Sequence, residues 1–74
     1  MNYNEMFDCR GRLDGGSTLS ILVTKPGEIT NWYFPISQLK NITKFKNPDQ
    51  TITITFKAPA WLLDKSNAWA LTDN

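Results

Sequence analysis

Residues Thr51–Lys57 read Thr-Ile-Thr-Ile-Thr-Phe-Lys, so that polar and apolar side chains alternate with a period of two. Successive side chains of an extended strand point to opposite faces, which puts Ile52, Ile54 and Phe56 on one face and the threonines on the other. β-branched residues on both faces favour a strand further. The segment therefore predicts a β-strand with one buried face, which needs other strands to pair with it.

A second strand is predicted over residues 17–24, with Leu19 and every second residue after it on the inward face. Asp14-Gly15-Gly16 precedes this strand and offers positions that tolerate positive φ, which suits a tight hairpin turn. The hairpin partner is predicted within residues 5–13.

The Lys25-Pro26-Gly27-Glu28 segment predicts a type II turn, because Pro and Gly occupy its two central positions. It leads into a third strand, predicted over residues 29–34. Residues 36–39 predict a turn of helix or a loop, and residues 42–45 predict a short strand.

Near the C-terminus, Pro59 suits the first position of a helix, which is predicted over residues 60–65. Short connections between the strands and a late helix indicate one antiparallel domain over residues 1–74. The predicted fold is mainly β: a small antiparallel meander or barrel-like sheet of four to five strands with a short C-terminal helix.

Composition limits the classes of function. Eight basic and seven acidic residues leave a net charge of +1, without the basic excess of proteins that grip duplex nucleic acid through many phosphates. The chain has one cysteine and no histidine, so it can form neither an internal disulfide nor an ordinary structural zinc site. We expect no cofactor and no metal.

The residues of ordinary active-site chemistry are missing from the sequence. Histidine, the commonest general acid–base group, is absent. The spacing of Asp8, Asp14, Asp49 and Asp64 brings no two of them together on a predicted element, and no nucleophile elbow or Gly-rich phosphate loop is recognisable. Cys9 has no imidazole to activate its thiol. We therefore predict that the protein is not an enzyme and that it acts by binding.

The same composition predicts a cytoplasmic protein with no membrane partner. A lone cysteine fits a reducing compartment, and the first twenty residues lack the apolar region of a signal peptide. Apolar runs such as Ile21–Val23 are far too short to span a membrane. A chain of 74 residues supports only a small core, which makes a homo-oligomer a plausible source of further stability.

Aromatic residues motivate the first binding hypothesis. Trp32, Tyr33 and Phe34 are consecutive on a predicted strand, so Tyr33 takes one face and the other two take the opposite face. Trp61 and Trp69 lie eight residues apart, near the spacing of one helix face. Each ring alone could pack in the core. Together they exceed the expected core volume, and this excess predicts a partner-binding surface of Trp32, Phe34, Trp61 and Trp69.

Lysines around Phe45 motivate a second hypothesis. Lys40, Lys44 and Lys46 flank this ring and Lys57 follows, a pattern typical of single-stranded nucleic-acid sites, where cations follow the backbone and rings stack on bases. The alternative is a solvated loop whose Phe45 turns into the core. A third hypothesis is an oligomeric sponge for a nucleotide signal, in which lysines at subunit junctions hold phosphates.

Two stretches, Trp32-Tyr33-Phe34-Pro35-Ile36-Ser37-Gln38 and Ala58-Pro59-Ala60-Trp61-Leu62, resemble motifs of a family of short, uncharacterised phage and prophage proteins. That family has a Trp-x-Pro-Lys-Ser-Gln stretch and a closing Pro-x-Trp-Leu-Ala helix, and the likeness runs from about residue 19 to residue 71. Trp32 lies one residue further from the proline than in that pattern, Ile36 stands in place of the lysine, and Leu63 stands in place of the alanine. The resemblance implies a mobile-element origin. By analogy with other small phage-borne domains, it suggests an accessory protein that binds a host defence or replication factor through the aromatic surface.

Overall fold

The structure is a computed structural model that describes residues 2–72. Within this range one antiparallel sheet is accompanied by a short α-helix and two 3-10 turns. The elements are β1 (Met6–Gly16), β2 (Ser20–Thr24), β3 (Asn31–Pro35), a 3-10 turn at Ile36–Gln38, β4 (Lys40–Lys46), β5 (Ile52–Pro59), α1 (Ala60–Ser66) and a 3-10 turn at Trp69–Leu71. This confirms the predicted fold class, a mainly β sheet with a short C-terminal helix.

The central strand β1 joins two halves of the sheet, whose order is β3-β2-β1-β5-β4. Residues Met6 to Arg12 pair with β5, whereas Arg12 to Gly16 pair with β2. The register with β2 shifts between Leu13 and Gly15, and such a bulge bends its strand and increases the local twist. One long, bent strand therefore belongs to both halves.

The connection between β3 and β4 indicates that the sheet is strongly curled. These strands form opposite edges of the sheet, yet only residues 36–39 join them. In a flat sheet the edges would lie four strand spacings apart, about 19 Å. Five fully extended residue steps reach only about 18 Å, and part of this connection is a 3-10 turn. The edges must approach one another, although β3 and β4 do not pair.

The core lies on the concave side that α1 and the second 3-10 turn cover. On β5, Ile54 and Phe56 are buried and Ile52 is partly buried, as the alternation predicts. Both strand and helix residues contribute to the cluster, whose other large members are Ile21, Val23, Trp32, Phe34, Leu39, Leu62, Leu63 and Leu71. The helix and the turn supply apolar side chains that the sheet alone lacks.

The hairpin between β1 and β2 turns later than the sequence suggests. β1 continues through Gly16, and β2 begins only at Ser20. Ser17 N–H donates to the Ser20 carbonyl at 2.9 Å and Leu19 N–H donates to Ser17 Oγ at 3.2 Å, which closes the turn. Leu19 belongs to this turn and is exposed, so its predicted inward position on the strand was wrong.

The predicted turn at residues 25–28 is confirmed, with Gly27 at φ 89° and Glu28 N–H donating to the Lys25 carbonyl at 2.9 Å. Pro59 precedes the helix as its N-terminal cap residue, and Asn67 ends it in the left-handed conformation with φ 53°. No helix within residues 2–72 is both long and apolar enough to cross a membrane.

Candidate functional site

The two strand aromatics of the predicted partner surface are core residues. Trp32 is 5% exposed and Phe34 is fully buried, although both lie on one face of β3 as the alternation requires. The Trp32 indole N–H donates to the Asn67 carbonyl at 3.3 Å, and the Phe34 ring lies 5.5 Å from the ring of Phe56. The prediction that Trp32 and Phe34 form surface is therefore corrected. The segment after α1 closes over them.

Trp61 and Trp69 are the half-buried members of that predicted set. The Trp69 ring meets Phe7 edge-on, with centroids 5.1 Å apart, and its indole N–H donates to Asp64 Oδ1 at 3.3 Å. The two tryptophans do not share one helix, because α1 ends at Ser66 and Trp69 begins a separate 3-10 turn. The four predicted aromatics thus do not form one continuous surface.

The sheet face opposite the core, here called the outer face, carries basic, polar and aromatic side chains. Arg10 and Arg12 alternate along β1 with the buried Cys9 and Gly11, so their side chains project to this outer face. Thr53 pairs with Arg12 on one side and with Phe45 on the other. Paired residues of antiparallel strands share a face, so Arg12, Thr53 and Phe45 form a row across β1, β5 and β4.

Phe45 is 55% exposed on this outer face, which excludes its alternative position in the core. Lys40 and Lys57 lie opposite one another in the β4–β5 register and project to the same face. Lys57 is partly neutralised, because its Nζ lies 3.2 Å from Asp8 Oδ1. Three of the five predicted nucleic-acid-binding residues therefore share a face.

Lys44 and Lys46 take the other side of the edge strand. They pair with Ile54 and Ile52, whose side chains belong to the core face of β5. Both lysines remain exposed at the rim of the sheet. The structure therefore separates Lys44 and Lys46 from Phe45, and a site on the outer face cannot use all five residues at once.

A groove of about 460 Å³ opens where β2 leaves β1 and the segment 70–72 takes its place. Its lining includes three cationic residues and no acidic residue. The charged and polar side chains that line it are Arg10, Arg12, Lys25, Asn47, Thr51, Thr53 and Thr72. We call this feature the cationic groove.

Arg12 is held in place at the groove by a carboxylate. Its Nε and Nη2 donate to the two oxygens of Asp14 at 2.9 and 3.1 Å, and the Thr24 hydroxyl donates to the same carboxylate. The bonds from Arg12 and Thr24 hold the pKa of Asp14 below its usual range, and Asp14 raises the pKa of Arg12. Three of the five guanidinium N–H bonds remain for a ligand.

The positive charges of the other two cationic residues of the groove, Arg10 and Lys25, are not neutralised by a carboxylate in an ion pair within residues 2–72. Lys25 Nζ donates to the Ala70 carbonyl at 3.0 Å, which joins two walls of the groove. Arg10 has no carboxylate within ion-pair distance among residues 2–72. Two hydrogen bonds from Thr51 lower the pKa of Asp49, and this carboxylate also interacts with the charge of Arg12. The groove can attract an anion, chiefly through Arg10 and Lys25.

The sequence analysis missed Arg10, Arg12 and Lys25. Two of them carried a usable signal, since the spacing of Arg10 and Arg12 places both on one face of any strand that contains them. Lys25 carried no such signal in the sequence, because only the pairing of β2 with β1, which sets Thr24 opposite Arg12, brings Lys25 close to Arg12.

These features define a small antiparallel β domain with a cationic groove and an exposed aromatic ring on one sheet face. No group of three or more His, Cys, Asp or Glu residues in the described part of the chain is arranged to hold a metal ion. Comparison of the chain with models of protein families, with curated proteins and with solved structures found no match. The mobile-element origin implied by the two sequence motifs stays a prediction.

Proposed function

We propose that the protein binds single-stranded nucleic acid on its outer face, with phosphates in the cationic groove and a base stacked on Phe45. The observation that carries this proposal is the lining of the groove, which has three cations and no carboxylate. Proteins that bind single strands without sequence preference combine such a positive groove with aromatic side chains.

Charge on the groove suits phosphate. Arginine presents a planar fork of N–H donors that matches phosphate oxygens, and Arg10 and Arg12 stand two residues apart on one face of β1. Lys25, which follows the residue paired with Arg12, adds a third positive charge to the lining. The Thr53 hydroxyl accepts from Asn47 Nδ2 at 2.9 Å and keeps its own proton to donate to a phosphate or sugar oxygen. The Thr51 hydroxyl already donates to Asp49 Oδ1 at 2.6 Å.

The position of Phe45 suits an unpaired base. Two strand spacings separate it from Arg12, which is about 10 Å across the sheet. Its ring is more than half exposed, and stacking of one base on such a ring is worth about 1–3 kcal/mol. A duplex keeps its base faces inside the stack, where Phe45 cannot reach them, and a net charge of +1 favours duplex contacts little.

The other two hypotheses receive less support. Burial of Trp32 and Phe34 removes half of the aromatic surface through which a host defence or replication factor would bind. A nucleotide signal could occupy the cationic groove, but it would leave Phe45 without a role at 10 Å. We place the activity in the cytoplasm, because a single cysteine fits a reducing compartment.

Anisotropy titrations with labelled oligothymidines of increasing length test the proposal. We expect affinity to rise with length, to exceed that for duplex and for a mononucleotide, and to fall with salt. Arg10→Ala removes about one phosphate contact, so the slope of log K against log salt should shrink by about 0.7. Lys65→Ala, which removes an exposed charge from α1, is the matched control. Absence of binding at low salt, or equal effects of the two substitutions, would refute the proposal.

A further inference from the structure

The two edge strands of the sheet differ in charge. β4 contains Lys40, Lys44 and Lys46, whereas β3 reads Asn-Trp-Tyr-Phe-Pro and has no charged residue. An edge strand presents unpaired N–H and C=O groups that can bind another strand, and lysines on the edge are a common protection against this. β4 has that protection and β3 does not.

Exposed apolar side chains are concentrated around β3. Tyr33 on the strand is 66% exposed, and Ile29, two residues before the strand, is 99% exposed. Leu19 is 78% exposed, and its carbonyl accepts the N–H of Ile36 just after the strand, at 2.9 Å. Exposed apolar side chains beside a sheet edge that carries no charged residue mark an interaction site.

The backbone groups that β3 leaves free follow from the pairing pattern. The N–H of Ile36 points to β2, where it meets the Leu19 carbonyl. Backbone groups of successive residues point to alternate sides, so Phe34 and Trp32 also bond to β2. Asn31, Tyr33 and Pro35 therefore direct their backbone groups outward, and Pro35 has no N–H to donate.

A second copy of β3 fits this edge in a self-complementary register. With Tyr33 opposite Tyr33 of the second copy, the two residues exchange two hydrogen bonds. Each Asn31 N–H then meets a Pro35 carbonyl, so the missing N–H of Pro35 removes only one bond at each end. In the same arrangement β4 would place its edge-directed residues Lys44 and Lys46 beside like charges, which is unfavourable.

We infer that the protein forms a homodimer in which β3 pairs antiparallel with β3 of a second copy, with Tyr33 opposite Tyr33. The twofold axis of such a pair runs perpendicular to the local sheet, so both outer faces lie on the same side. The two Tyr33 rings become cross-strand neighbours on that side. The dimer does not depend on nucleic-acid binding, and it would place two cationic grooves on one surface.

Light scattering coupled to size exclusion, without oligonucleotide, tests the dimer. We expect wild type to have twice the 8.5 kDa mass of one chain. Tyr33→Lys places a charge at the centre of the pairing and should give the monomer mass. Phe45→Lys makes the same kind of change on the other edge strand and should remain dimeric. A monomeric wild type, or a Tyr33→Lys variant that is as dimeric as Phe45→Lys, would overturn the inference.

Amide hydrogen exchange gives a second readout that does not depend on a folded variant. In the dimer the Tyr33 N–H is hydrogen-bonded to the second copy and protected, and dilution below the dissociation constant should release it. The Phe34 N–H, which points to β2, should stay protected at every concentration. If Tyr33 exchanges rapidly at concentrations where the mass is that of a dimer, the copies meet through another surface and the inference is wrong.

Discussion

Replacing Phe45 by threonine separates two contributions to nucleic-acid binding on the outer face: base stacking on the ring and phosphate contacts made by the cations. The ring is 55% exposed on β4, so its removal opens no core cavity. Threonine has high β-propensity and already occupies the paired position Thr53, so we expect stability to change by no more than about 0.5 kcal/mol. The stacking contribution of about 1–3 kcal/mol is lost, which lowers affinity about 5- to 150-fold.

The assay is the anisotropy titration, carried out at several salt concentrations. Phe45→Thr removes no charge, so its curve of log K against log salt should lie below that of wild type with the same slope. Tyr3→Thr is the matched control, since Tyr3 is another exposed ring but lies outside the sheet, before β1. Its affinity should equal that of wild type. Thermal melts of all three proteins check that they are folded.

Two results would refute the reasoning about Phe45. If Phe45→Thr binds as tightly as wild type, bases do not stack on this ring and the outer face is at most an anion site. If affinity falls but the salt slope falls with it, the substitution has displaced phosphate contacts. The effect would then come from a disturbed strand.

Two predictions concern stability. A Cβ on Gly11 would overlap the Val23 side chain and the adjacent backbone, so Gly11→Ala should lower the free energy of unfolding, measured in urea titrations, by about 1–3 kcal/mol. A Cβ on Gly15 would make only ordinary contacts, so Gly15→Ala should change that free energy little. Equal losses in the two variants would contradict the close approach of β2 to Gly11. The pKa of the Asp14 carboxyl is lower in the folded protein than in the unfolded chain, so the ionised carboxylate stabilises the fold. This stabilisation is fully present above the pKa of about 3.9 in the unfolded chain, and it is lost as pH falls through the pKa in the folded protein. Between pH 6 and pH 3, Asp14→Asn should therefore lose less stability than wild type, and an identical loss would show that the bonds from Arg12 do not stabilise the fold.

Local patterns predicted the elements of the fold well. The alternation in β5 predicts the observed burial correctly, because the core lies on only one side of this strand and Ile54 and Phe56 point into it. Leu19 was misplaced because apolar character alone does not show where a strand begins. The Ser17 hydroxyl oxygen accepts the N–H of Leu19 and closes a turn, and this local hydrogen bond keeps Leu19 out of the strand.

The candidate site was harder to predict because its residues are distant in sequence. Arg10 lies on β1, Lys25 follows β2 and Thr53 lies on β5. Their meeting depends on the strand order, and the sequence contains no short-range signal for the pairing of β5 with β1. The interleaved lysines around Phe45 were visible, but a bulge and the face alternation decide which of them share its side.

The core is larger than the strands alone predict, so it accommodates aromatic rings that the sequence analysis placed on the surface. Counting strands alone leaves little interior for Trp32 and Phe34, yet residues after α1 return to the sheet and place Ala68 and Leu71 over them. Thr72 then pairs with Cys9, on the side of β1 that β2 leaves open. Because this segment closes the core and also forms one wall of the cationic groove, the burial of the tryptophan and the opening of the groove have a common cause. With Trp32 and Phe34 buried, the outer face therefore offers the cations of the groove and the exposed ring of Phe45.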